Sequence, residues 1–231
     1  MESLIGQPFR GKLMNLSRNV AVGVAAVSLV SQPLTAQSFH LGLRGGAGIP
    51  TGAFSEDPSG SSASDAVLQG AKTGFGYGLD AGIGLGMFGL YAGFDKIKFD
   101  CETTTCTSSG EYQLAGVSAG IRLTPPGMSF FRPWVKGGVT FNELKGSYGS
   151  ASSDNGITTD RTPGYEVGAG LDIPVFGLFA LTPQVRYVGQ NLKYKVPGVT
   201  SPDPDDKAGV NYFTVDLGLS ITNPFRSASR R

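Results

Sequence analysis

One histidine, two cysteines and a nearly balanced set of charges leave this 231-residue chain short of the parts that chemistry needs. A lone imidazole, His40, cannot build a multi-histidine metal site, and a nucleophilic serine has no other histidine to serve as its base. The formal net charge is +1, so no concentrated basic surface invites a nucleic acid. Beyond residue 36 no apolar run approaches the about 20 residues of a membrane helix. The glycine-rich segments are not followed by helical patterns, which excludes nucleotide-binding loops. Asp203, Asp205 and Asp206 lack the regular spacing of a calcium loop and read as solvated acids. No cofactor, metal ligand or catalytic residue is expected.

What is present begins with a leader. Arg10, Lys12 and Arg18 precede an apolar run from Val20 to Val30, and Pro33-Leu34-Thr35-Ala36 follows. A basic start, a short apolar middle and a small residue at the cut describe a secretory signal peptide over residues 1–36. Met14, followed by Asn15-Leu16-Ser17-Arg18, is an alternative start to Met1. Residues 37–231 then form one domain of roughly 195 residues. Export implies an oxidising compartment, so Cys101 and Cys106 are expected to form a disulfide across a small loop.

From Phe39 onward the dominant period is two. Phe75, Tyr77, Leu79, Ala81, Ile83 and Leu85 share one face of a segment whose other face is Gly74, Gly76, Gly78, Asp80, Gly82 and Gly84. Such alternation is a strand signal, since a helix would repeat near 3.6. Seven further segments alternate in the same way, beginning near residues 39, 89, 111, 132, 164, 180 and 210. The connections run long, short, long, short, long, short, long. The long ones fall near 51–72, at the cysteines, near 145–163 and near 196–209. The short ones fall near Gly86-Met87-Phe88, Pro125-Pro126-Gly127 and Phe176-Gly177. Seven connections join eight antiparallel strands, with short periplasmic turns and longer extracellular loops. Phe88, Phe130, Phe131, Phe176 and Phe179 sit beside the short turns; Tyr112, Phe141, Tyr165 and Tyr194 sit nearer the long loops. These are expected to form the two aromatic girdles of a barrel in lipid.

Alternation alone does not say which face meets lipid, and a lipocalin-like soluble barrel turns its apolar face inward. The polar face here is rich in glycine, which suits a narrow interior better than a solvated surface. It also carries single charges of both signs. Arg44, Arg122, Lys136 and Arg186 are expected to neutralise Asp80, Asp95, Glu166, Asp172 and Asp216 inside a closed barrel, as a structural network and not an ion path. Strands in lipid must close on themselves, because no water satisfies an open edge.

The segments "LGLRGGAGIPTGAF", "GFGYGLDAGIGLGMFGLYAGFD", "VSAGIRLTPPG", "RPWVKGGVTF", "LTPQVRYV" and "VDLGLSI" resemble outer-membrane β-barrel domains of the OmpA and OmpX type, over nearly all of the mature chain. The resemblance implies an all-β, eight-stranded up-and-down transmembrane barrel with a plugged polar core. Its expected partners are outer-membrane lipids, the barrel-assembly machinery and an unidentified extracellular ligand. Two departures stand out. No peptidoglycan-binding domain is expected after Ile221, and the sequence closes on Phe225-Arg226-Ser227-Ala228-Ser229-Arg230-Arg231, not on the terminal aromatic usual in such barrels. Three functions follow as alternatives: a structural or interaction protein acting through its loops, a small-solute channel, and a lipid-modifying enzyme using His40.

Overall fold

A computed structural model of the chain describes residues 37–56, 69–101, 110–125, 130–147, 157–195 and 207–223. The leader, Cys106, Asp203, Asp205, Asp206, Pro126, Gly127 and the terminal residues from Pro224 lie outside the described residues.

Among the described residues nearly everything is strand: β1 (Gln37–Thr51), β2 (Gly74–Leu85), β3 (Phe88–Asp100), β4 (Glu111–Leu123), β5 (Arg132–Ser147), β6 (Ile157–Thr159), β7 (Thr162–Phe176), β8 (Phe179–Lys195) and β9 (Lys207–Asn223). Each long strand pairs antiparallel with the next, and β1 also pairs with β9, as Leu43/Leu219 and Ala47/Val215 show. The eight long strands therefore close into a barrel that leaves no free edge.

Two of the short connections are two-residue turns, Gly86-Met87 and Gly177-Leu178. Gly86 (φ +70°) and Gly177 (φ +54°) occupy the left-handed region that a tight hairpin needs and that a side chain resists. Both turns lie at one end of the barrel, together with the end of β4 at Leu123 and the start of β5 at Arg132.

The period of two sets the faces. Leu79, Val117, Val139, Val167, Val185, Val215 and Leu217 are all about half exposed on the outer wall. Exposed apolar surface of this extent is what a hydrocarbon environment covers. Phe88, Phe130, Phe131 and Phe176 are exposed at the short-turn end. Tyr165, Tyr187 and Phe213 stack side by side on the outer wall at 6.1 and 4.8 Å, nearer the other end.

Three expectations are corrected. Residues 145–163 are not one loop: β5 runs on to Ser147 and the short strand β6 bridges β5 and β8 before β7 begins. Pairing beyond the wall satisfies backbone groups that a free loop would leave to water. Similarly β9 begins at Lys207, inside the span read as loop. Tyr112 does not belong to the outer girdle. It is inward and buried, on the same face as Gly116 and Ser118, because the period of two outweighs nearness to a loop. The side chain of Tyr194 is outside the described residues.

Candidate functional site: a two-layered barrel interior

The nine charged residues singled out above lie inside the barrel. Arg186, on β8, occupies the middle of the lumen. Its guanidinium donates from Nη2 to Asp95 Oδ1 at 3.0 Å, from Nη1 to Glu166 Oε2 at 3.3 Å and from Nε to Asp216 Oδ2 at 3.2 Å. Arg44 donates to Asp80 and, at 2.8 Å, to both oxygens of Asp95. Asp95 thereby bridges two arginines. Lys136 Nζ stands 3.6 Å from Glu166 and 4.6 Å over the Tyr91 ring, and the Tyr91 hydroxyl donates to Glu166 at 2.6 Å. Nearer the short-turn end Arg122 pairs with Asp172, whose second oxygen accepts from Trp134 Nε1 at 3.0 Å; Arg122 also lies 4.3 Å over the Trp134 ring.

Forked guanidinium groups suit this arrangement, because each presents several donors in one plane and can hold two or three carboxylates at once. Burial of so many ions is costly unless every charge is paired and hydrogen-bonded. The small residues of the polar face make the room. Gly138, for example, faces the Tyr91 hydroxyl so closely that an added Cβ would stand 2.5 Å from it.

Sequence reasoning missed the second layer. Towards the long-loop end the inward positions turn apolar: Ile97, Phe99, Tyr112, Leu114, Leu144, Val188, Leu192 and Val210 form one buried cluster. Phe54 completes it. It sits on a single turn of 3-10 helix (Gly52–Phe54) after β1 and is fully buried, with its ring edge-on to Phe99 at 5.2 Å and tilted against Tyr112 at 5.8 Å. A signal was present in Ile97, Phe99 and Leu114, each large and each on the polar face by parity.

His40, near the start of β1, has a partner. Its Nε2 lies 3.0 Å from Asp80 Oδ2, at the edge of the ionic layer, and Asp80 is its hydrogen-bond partner among the described residues. The cavity beside it, lined by Arg122 and Trp134 among others, measures about 20 Å³. Such a space admits about one water molecule. Cys101 follows β3, and its backbone pairs antiparallel with that of Ala71; Cys106 is outside the described residues. Among the described residues no group of three His, Cys, Asp or Glu side chains is placed to hold a metal ion.

Comparison with known proteins places this architecture. The outer membrane protein beta-barrel domain, as a family, matches residues 22–220. No curated protein matches the sequence. Among solved structures the chain is similar to Neisserial surface protein A, at 14% identity and a TM-score of 0.55, covering 79% of this chain and 96% of that one. It is also similar to the outer membrane protein OprG from Pseudomonas aeruginosa, at 13% identity and a TM-score of 0.50, covering 83% of this chain and 99% of that one. At these identities the likeness is one of fold.

Proposed function

Because the chain belongs to the outer membrane protein beta-barrel domain family, a family of barrels of the outer membrane, we propose that it works as a closed, non-conducting barrel whose role is structural or interactive, exerted through the surface it presents and not through its lumen. One observation supports this reading: two unlike layers fill the interior in series. Ions would have to break the network centred on Arg186, and then cross the apolar cluster around Phe54 and Phe99. Each layer alone is a barrier. The first is a set of paired charges in a low-dielectric space, and the second is made mostly of apolar side chains that cannot replace an ion's hydration shell.

A role without catalysis fits the same residues. His40 is engaged by Asp80, and the space beside it holds about one water, too little for a lipid substrate. Exposed loops of a rigid scaffold are the usual place for adhesion or ligand contact, and they carry that part of the proposal.

Planar-bilayer recording tests it. Purified protein is expected to give no stepwise conductance above the bare bilayer. Discrete openings of constant size would return the channel reading to first place.

A further inference from the structure

The outer wall is not uniformly smooth. On the side formed by β5, β7, β8 and β9, near the short-turn end, lies a groove of about 510 Å³. That is within the about 300–1,000 Å³ of sites that hold small ligands. Its cause is local. Ala169 is the small member of a row whose other members are Val135, Val185 and Val215, joined across the strands by register. One step nearer the short turns, Pro133 and Pro183 line it too. Proline has no amide hydrogen to give to a ladder. The β7–β8 register accordingly runs through Gly170/Gln184 and resumes at Ile173/Leu181, passing over Pro183.

The wall is also thin here. Gly170 has no side chain, and a Cβ added to it would stand 2.5 Å from Trp134 Cζ2. Trp134 points into the lumen and is buried, yet it forms part of the groove's lining. The single tryptophan of the chain thus lies behind the point on this wall where Ala169, Pro133 and Pro183 come together.

We propose that this groove is a seat for one acyl chain of a phospholipid in the leaflet on the short-turn side, the periplasmic leaflet in barrels of this type. The groove is continuous with the lipid-facing band: Val135, Val185 and Val215 are each about half exposed, as are their neighbours on the same wall.

Trp134 reports on the groove directly. The full mature protein is folded into phosphatidylcholine vesicles whose acyl chains carry bromine midway, and its fluorescence is compared with that in unbrominated vesicles. Strong quenching is expected for the parent. Ala169→Phe, which fills the groove, is expected to cut the quenching at least twofold, and Val185→Phe provides a second filling variant if the first folds poorly. Leu79→Phe, on the diametrically opposite wall, is expected to change nothing. Equal quenching in the parent and both filled variants overturns the proposal. So does a parent that is shielded from bromine until the protein is diluted in the membrane, because a second copy would then be the occupant.

Discussion

Arg186 and Asp95 meet across the lumen in a two-pronged pair, Nη2 to Oδ1 at 3.0 Å and Nη1 to Oδ2 at 3.1 Å, although 91 positions separate them in the chain. Their strands, β3 and β8, are not neighbours in the sheet. The pair spans the barrel, and with Arg44 Nη2 donating to the same two oxygens it ties β1, β3 and β8 together.

Arg186→Met is expected to be severe, because it leaves Asp95, Glu166 and Asp216 short of a cation in a space with almost no water. A loss of about 3–5 kcal/mol is expected, the usual consequence of orphaning a buried ion. Urea titration of the barrel in vesicles, read by the mobility shift between heated and unheated protein on a detergent gel, measures it. Arg186→Lys should recover only part of the loss, since one ammonium cannot reach three carboxylates. A midpoint unchanged in Arg186→Met would show that the network contributes nothing.

Two adjacent glycines should respond in opposite ways. Gly137 faces outward, and the nearest atom to an added Cβ is a carbonyl oxygen at 3.9 Å. Gly138 faces the lumen, against the Tyr91 hydroxyl and the Ala119 carbonyl. Gly137→Ala is therefore expected to be neutral or to stabilise by up to about 1 kcal/mol, through loss of unfolded-state freedom. Gly138→Ala should cost about 1–3 kcal/mol, since Tyr91 must leave Glu166 to make room. The same urea titration separates them, and equal midpoints would contradict the facing assigned to each.

Phe54→Ala should loosen the mouth and spare the barrel. The lost packing against Phe99 and Tyr112 is worth about 3–5 kcal/mol for a buried aromatic, felt locally because Phe54 lies beyond the end of β1. The Ala71 amide, which donates to the Phe54 carbonyl at 3.0 Å, is expected to exchange its hydrogen about 100-fold faster or more. Amides in the middle of β1 and β2 should keep their protection. Bilayer recordings should stay silent, because the ionic layer below is intact.

Cys101 and Cys106 are expected to resist alkylation until reduced, and the unreduced protein to be two hydrogens lighter by mass spectrometry. Cys106→Ser should lower stability by about 2 kcal/mol at most, since closing so short a loop removes little unfolded-state entropy. Free reaction of both thiols without reductant would rule the bridge out.

The alternation of residues such as Phe75, Tyr77 and Leu79 with glycine is enough to assign strands and faces, because a side-chain period of two has one structural cause. The rhythm of long and short connections is enough to count the strands of the wall. Glycine and charge on one face also mark Arg44, Asp95, Arg186 and the other charged residues as candidates for a single interior. Parity would have placed Tyr112 inside as well, had nearness to a loop not been weighed above it.

What no single strand discloses is how inward positions stack once the sheet closes. Closure with a tilt brings residues of distant strands to one level, so the partner of Arg186 is decided by the barrel's stagger and not by any spacing along the chain. The same stagger gathers Ile97, Leu114, Leu144 and Val210 beneath Phe54, and it sets Ala169 among larger neighbours with Trp134 behind them. Local periodicity therefore determined which way each side chain points. Only the closed sheet decided what it meets there, because contacts across a lumen depend on the shear between strands, a quantity that exists in three dimensions alone.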